Sequence, residues 1–437
     1  MLRVFSFFIF FIFAAGSQAA LKIEITEGAE GAEPIAIVPF SWSGKADAPE
    51  NVSAIVSADL HRSGRFAPLP EKDMLAKPSE VEKINFKNWR ILEVPYLVIG
   101  NMNELPDGKY RVVFRLFDVY RAKQMTGFAA TGTRGTLRRI AHQISDAIYK
   151  ELTGERGAFA TKLAYVKKLP KETNPNRRYW LFTADADTEN EKPVLMSVNP
   201  IISPTWSPDS TKLAFVVVRG SGQSIYVYDV KNNTSERITF SKEKFSAPAW
   251  SPDGKQMAMV RLKDGGADIF VMDLKTKKKK RITRHWSIDT EPAWSPDGKS
   301  LVFTSERGGS PQLYEYNFST TKVRRLTFEG KENLRASFSP DGTMITFVHS
   351  EGGKYHVAVM DMATQQIRLL TKASHEETEH ESPSFAPNAS MVIYAANYRN
   401  QRGVLAAVSV DGGVHQRFSY DKGAGEVREP AWSSFLD

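Results

Sequence analysis

The densest run of ionisable side chains is His375-Glu376-Glu377-Thr378-Glu379-His380-Glu381. Imidazoles and carboxylates at this spacing offer the donors of a divalent-metal site, or of an acid–base pair acting on an acidic polysaccharide. The same residues also compose an ordinary polar loop on one face of a protein. That plainer reading is preferred, because His285, His349, His356 and His415 fall at unrelated places in the chain. A Gly-x-Ser-x-Gly elbow, a Gly-rich phosphate loop and a His-Glu-x-x-His pair are all absent. No catalytic residue, metal ligand or cofactor site is assigned. Recognition is the better prospect. Lys244-Phe245-Ser246, Ser287-Ile288-Asp289-Thr290-Glu291, Glu332-Asn333-Leu334-Arg335, Glu379-His380-Glu381 and Val427-Arg428-Glu429 mix charged with apolar residues. Such mixtures suit a protein or peptide ligand.

A repeat positions these stretches. Pro-x-aromatic followed by a Ser-Pro-Asp-Gly-like turn recurs with its aromatic at Trp206, Trp250, Trp294, Phe338, Phe385 and Trp432, so successive gaps are 44, 44, 44, 47 and 47 residues. A period near forty with several strands per unit is the pattern of a β-propeller. After each of the first five aromatics comes a second apolar stretch, such as Met257–Met259, and the first four copies add a third, such as Ile269–Asp273. A closing Asp229, Asp273, Asn317 or Asp361 suits a turn. A fourth strand is expected to end at Thr239, Thr283, Thr327 and Thr371. Lys162–Val166, Arg178–Thr183 and Pro193–Val198 lack an inner strand, and Pro430-Ala431-Trp432 lacks a blade. Joining them closes a ring of six. All five inter-blade stretches then open on one face, and the Ser-Pro-Asp-Gly turns on the other. Ser210, Ala336 and Ala386-Pro387-Asn388 depart from the repeat in ways that a turn or an inner strand tolerates. The basic run Lys275 to Arg281 falls at a hairpin tip.

Upstream, strand-like Ile35–Phe40, Tyr96–Gly100 and Tyr110–Tyr120 alternate with two helical faces. One runs through Val52, Ile55, Val56 and Leu60, with Gly64 as its stop. The other is Leu137, Ile140, Ala141, Ile144, Ile148 and Leu152, closed by Gly154. The expected architecture is therefore two-domain, α/β plus all-β. Residues 1–19 form a signal peptide, 20–154 an N-terminal α/β domain with a free N-terminal strand, 155–160 a linker, and 161–437 a six-bladed β-propeller closed by the C-terminal strand. The apolar run Val4 to Ala15 is too short for a membrane span, which needs roughly 20 residues, and Ser17-Gln18-Ala19 is fit for cleavage. With no cysteine, neither disulfides nor thiolate metal sites contribute. The formal charge of +8 raises the question of nucleic acid, which an exported protein does not ordinarily meet. A closed ring predicts a monomer without membrane insertion.

The layout, together with Pro34-Ile35-Ala36-Ile37-Val38-Pro39-Phe40, Thr290-Glu291-Pro292-Ala293-Trp294, Ala386–Tyr394 and Pro430-Ala431-Trp432-Ser433, resembles the TolB family of the Tol-Pal envelope system. The resemblance covers nearly the whole mature chain. It implies a non-enzymatic periplasmic protein of Gram-negative bacteria that supports outer-membrane integrity and constriction at division. It further implies that one propeller face binds the lipoprotein Pal and that colicin-type toxins exploit the same face. On this chain that face would hold Lys244, Ser246, Thr290, Glu291, Arg335, Glu381 and Glu429, with Lys244 standing where some relatives have His. The mature N-terminus, Leu21, Lys22, Ile23, Glu24, Ile25, Thr26 and Glu27, would meet the C-terminal domain of TolA. The runner-up is a lyase-like periplasmic propeller enzyme with a divalent metal.

Overall fold

Each Pro-x-aromatic copy forms the innermost strand of an antiparallel sheet, and residues from the inner strands line a central channel. The structure, a computed structural model, describes residues 22–27, 31–170, 178–220, 222–239, 243–263, 265–372, 377–398, 401–419 and 425–436. The expected signal peptide, Leu21, His375 and Glu376 lie outside them. Blade two runs Ile201–Trp206, Lys212–Arg219, Gly222–Asp229 and Thr234–Arg237, and blades three to five repeat it. Blade one is Lys162–Lys168, Tyr179–Asp185 and Lys192–Ser197, completed by Glu426–Trp432 as its inner strand. The expected closure is present, with Trp432 in register with Leu163. Indoles lace neighbouring inner strands together: Trp206 donates to the Ala431 carbonyl, Trp250 to that of Thr205 and Trp294 to that of Ala249, each at 3.2 Å.

The two ends of the disc are fixed differently. At the turn end, Ser207, Ser251, Ser295 and Ser339 donate to Asp209, Asp253, Asp297 and Asp341 at 2.6–2.7 Å. Each Ser oxygen also accepts the N–H five residues on, at 2.9 Å. The closing Asp and Asn residues behave as expected: Asp229, Asp273, Asn317 and Asp361 accept the backbone N–H three residues later. The fourth strands, however, stop at Arg237, Arg281, Arg325 and Leu369, two residues short of the expected threonines. Those threonines are buried, and their hydroxyls accept the N–H of Ile225, Ile269, Leu313 and Val357 at 2.9–3.0 Å. A side chain there replaces a ladder bond and releases the chain into the inter-blade connection.

The N-terminal domain is a mixed sheet in the order Phe66–Pro68, Glu33–Ile37, Tyr96–Glu104, Tyr110–Asp118 and Lys123–Gly132. Helices α1 (Val52–Arg62) and α3 (Leu137–Thr153) share one core on this sheet, while α2 (Phe86–Ile91) brings Trp89 to a second. The last strand was not anticipated, because its Gly, Ala and Thr residues carry no apolar alternation. Gly154 ends α3 at φ +81°, as expected of a left-handed cap.

One expectation needs correction. The N-terminal strand Lys22–Glu27 is not free: it pairs antiparallel with His415–Ser419, the fourth strand of blade six after Glu377–Phe385, Met391–Tyr398 and Gln401–Ser409, setting Ile23 opposite Phe418. Alternating Ile23 and Ile25 give it one apolar side, and Ile23 packs on the cluster containing Phe182 and Phe418. Residues 155–160, the expected linker, pack against the N-terminal domain. Phe159 is buried, and Asp146 of α3 accepts the N–H groups of Phe159 and Ala160.

The domain sits on the turn end of blades six and one. Arg62 donates to the Ala186 carbonyl at 2.8 Å, Asn388 donates to that of Arg156 at 2.9 Å, and Gln416 bonds the Arg62 carbonyl. Gly64, at φ +69°, lies so close to blade six that a Cβ would stand 2.3 Å from Val414 Cγ2. The mouth of the channel at the opposite end is left uncovered by this domain.

Candidate protein-binding site at the channel mouth

Six equivalent residues line the mouth, each three before the blade's inner aromatic. Ser203, Ala247, Glu291, Arg335, Ser382 and Glu429 all adopt left-handed backbone, with φ between +44° and +56°. In every blade the register slips around this residue, so each is a β-bulge. Five precede a proline, which clashes with right-handed helical backbone at the residue before it. Strain of about 1 kcal/mol or more per residue persists only where the surroundings impose it, and it clusters at functional sites.

Three of the six are charged and meet. Arg335 Nε donates to Glu291 Oε1 at 2.9 Å, and its Nη1 reaches Glu429 Oε1 at 3.2 Å and the Ser382 hydroxyl. Glu291 Oε2 also takes the Arg335 N–H at 3.0 Å and the Thr304 hydroxyl at 3.0 Å. Glu429 accepts the N–H of Ser203 at 3.3 Å, which carries the network across the channel. Glu429, then Glu291 and Glu381, raise the already high pKa of the Arg335 guanidinium against its partial burial. Glu381 stands beside this group, 3.9 Å from Arg428. Burial pushes its carboxyl above the ordinary value, against the pull of Arg335 and Arg428. The open space here is about 190 Å³.

Of the residues expected on this face, the structure brings Glu291, Arg335, Glu381 and Glu429 together. Ser246 and Thr290 sit half-buried at the starts of their inner strands, and Lys244 is exposed beyond them. Ser203, Thr304 and Ser382 were missed. Counting back three from every aromatic, rather than reading charged loops, would have found Ser203 and Ser382; Thr304 carries no sequence signal. Among residues 22–27, Ile23 and Ile25 are half-buried and Glu24 and Thr26 exposed, while Lys22 and Glu27 are placed by backbone pairing only.

The described side chains of the His/Glu run, Glu379, His380 and Glu381, have separate partners. His380 is buried, bonding Thr371 Oγ1 through Nδ1 at 2.8 Å and resting edge-on against Tyr394. Glu379 is exposed, with Asn397 Nδ2 at 3.1 Å. His349 belongs to a buried network with Asn333 and Gln312. Elsewhere Asp59, His142 and Asp187 are close enough to share a cation. Both carboxylates already hold a guanidinium, however, Asp59 that of Arg62 at 2.9 Å and Asp187 that of Arg138. That group joins the domains instead.

Residues 149–436 match the TolB β-propeller domain and residues 21–125 the TolB amino-terminal domain. A protein of Thioalkalivibrio sulfidiphilus named Tol-Pal system protein TolB is 54% identical over 430 residues, 98% of this chain and 97% of that one. The chain belongs to the TolB family. A second TolB, from Nitrosococcus oceani, is 43% identical over 220 residues, 50% of each chain. The crystal structure of TolB from Acinetobacter baumannii superposes with a TM-score of 0.85 at 39% identity, covering 95% of this chain and all of that one. Membership in the TolB family bears out the two-domain fold and makes the chain a non-enzymatic protein.

Proposed function

We propose that this TolB-family chain is a periplasmic component of a Tol-Pal system that binds Pal at the channel mouth and TolA through its N-terminal strand. The observation that carries this reading is the asymmetry of the disc. The N-terminal domain occupies the turn end, while the strained, charged ring Glu291–Arg335–Glu429 faces outward at the other. Lys244, Ser246, Thr290 and Glu381 extend that face. Toxins of the colicin type would compete for it. In this reading the leader is removed after Ala19, and the monomeric protein supports outer-membrane integrity and constriction at division.

The docked strand supplies a coupling. While Lys22–Glu27 is paired to blade six it cannot add to a strand of TolA, so whatever favours docking disfavours TolA, and the reverse holds equally. The strand pairs on blade six, against which the N-terminal domain also packs.

The test is calorimetric titration of the mature protein with the soluble domain of its own Pal, beside a Glu291→Arg variant. A tenfold weakening, about 1.4 kcal/mol, is expected, because the new guanidinium faces Arg335. Unchanged affinity removes the channel mouth as the Pal site. A variant lacking residues 20–30 should lose the TolA domain and keep Pal; loss of both refutes the division of labour.

A further inference from the structure

The mouth is not uniform around its rim. Two consecutive inter-blade connections, from blade three to four and from four to five, expose large apolar side chains. Trp286 is 78% exposed, Phe328 69% and Ile288 40%. Both connections begin at buried threonines, Thr283 and Thr327, so their roots are fixed. The aromatics are also held from behind. Trp286 leans on the His285 ring, centroids 5.3 Å apart, and His285 Nδ1 bonds the hydroxyl of buried Ser287 at 2.7 Å. Ile288 is pinned by a bridge to Ala267. Phe328 lies under the Arg325 guanidinium at 4.9 Å, whose Nε donates to the Thr327 carbonyl at 2.6 Å. Rigid, solvent-facing aromatics lose little freedom on binding, which is the character of an interface hot spot.

The charges of this arc differ from those opposite. Lys244, Arg284 and Lys331 are exposed and make no ion pair with the described residues, and Glu329 is the exposed carboxylate among them. Across the channel, Glu351 and Glu379 are exposed and Glu381, Glu426 and Glu429 half-buried. The mouth is therefore uneven: exposed cations and aromatics gather over blades three to five, whereas opposite them Lys372 is exposed as well and Glu381, Glu426 and Glu429 already pair with Arg428, Lys168 and Arg335.

We infer that the Trp286–Ile288–Phe328 arc is a second anchoring surface for the protein that enters the channel mouth, taking an acidic segment of that partner with an apolar side chain between the two aromatics. This rests on the function proposed above and adds the chemistry and orientation of the bound partner. A lipid headgroup surface would also welcome tryptophan and cations. It would have to meet the exposed carboxylates Glu351 and Glu379 of the same rim at the same time, and that favours a protein.

The experiment titrates the full mature chain with the soluble Pal domain, comparing wild type, Trp286→Ala, Trp286→Phe, Phe328→Ala and the triple charge reversal Lys244→Glu, Arg284→Glu, Lys331→Glu. Trp286→Ala should weaken binding tenfold or more and Phe328→Ala about fivefold, roughly 1.4 and 1 kcal/mol, while Trp286→Phe restores most of the loss. The charge reversal should slow association and invert its dependence on salt between about 50 and 300 mM NaCl, concentrations on the order of the screening range. All five unfold at the same temperature, since none of these side chains is buried. Binding that Glu291→Arg weakens but the aromatic variants leave untouched overturns this inference and spares the proposed function. No binding by wild type overturns both. Sedimentation with phosphatidylglycerol vesicles that requires Trp286 assigns the arc to lipid and overturns it too.

Discussion

The turn end and the mouth of the propeller are built from the same repeats, yet they repeat different things. At the turn end the side chains recur: four serines donate to four aspartates at 2.6–2.7 Å, and the exceptions still turn. In the ring of bulges at the mouth only the backbone recurs. All six bulge residues are left-handed, while their side chains are Ser, Ala, Glu, Arg, Ser and Glu. A tight turn must satisfy its own N–H groups with a particular side chain, so its chemistry is fixed by folding. A bulge is held by the sheet on both sides and leaves its side chain to other purposes. Substitutions at the turn end should therefore report on stability, and substitutions at the mouth on partners.

The largest effect expected at the turn end is that of Gly64→Ala. The residue has φ +69°, and the new methyl would stand 2.3 Å from Val414. Left-handed strain and overpacking together should destabilise the docked domain by roughly 2–4 kcal/mol, read as a lowered unfolding temperature. Trimming the neighbour as well, Gly64→Ala with Val414→Ala, should recover the packing part and leave the backbone part. Pal affinity of the folded protein at 20 °C should stay within about twofold, a difference of roughly 0.4 kcal/mol. A loss as large as that from Glu291→Arg would show that the ends are not independent.

The second prediction uses pH. His142 Nδ1 bonds Asp59 Oδ2 at 2.7 Å within the N-terminal domain, and Nε2 faces Asp187 of blade one at 3.4 Å. Arg62, Arg138 and Ser145 complete the surroundings. Burial disfavours the imidazolium, but Asp59 and Asp187 outweigh it and hold the His142 pKa above its ordinary 6.5. The native state thus binds the proton more tightly than the unfolded chain. Its contribution is fully present below pH 6.5 and is lost as pH rises through the higher native value. Asp59 acts in the opposite sense: its pKa is lowered, so its contribution holds above 3.8 and is lost in acid. Unfolding temperature should fall on raising the pH from about 6 to 9, the range over which a histidine with a raised pKa gives up its proton. The charged hydrogen bond involved is worth about 1.5–3 kcal/mol. His142→Gln should flatten that slope. A slope unchanged in the variant assigns it to other groups.

What the sequence disclosed follows the same division. Blade number, ring closure through Trp432 and the Asp or Asn turns were legible, because each is a local requirement repeated until it becomes a pattern. The mouth was half legible. Glu291, Arg335, Glu381 and Glu429 stood out as charged residues, but Ser382 and Ser203 have side chains that say nothing; only their offset from the aromatic marks them. The docking of Lys22–Glu27 on blade six could not be read, since an alternating strand fits any sheet edge, and the partner lies almost 400 residues away. The domain junction was hidden for a related reason: His142 and Asp187 come from different domains, and neither has a motif.

The smallest effect is the sharpest on strain itself. Ala389 at the turn end and Ala247 at the mouth are both uncharged residues in left-handed backbone, at φ +57° and +44°. Glycine adopts that conformation freely, so Ala389→Gly and Ala247→Gly each relieve about 1 kcal/mol of strain. Each also gives the unfolded chain about 0.4–1 kcal/mol of extra freedom. The net change in stability should lie within about 0.5 kcal/mol at either position, with the two shifts alike. Binding should then separate them. Ala389→Gly leaves Pal affinity unchanged. Ala247→Gly loosens one of the six bulges that aim side chains into the channel and should speed dissociation about two- to threefold, roughly 0.4–0.6 kcal/mol. Equal dissociation rates in stopped-flow chase experiments would mean that the left-handed ring is inherited from sheet closure and has no part in presenting Glu291 and Arg335.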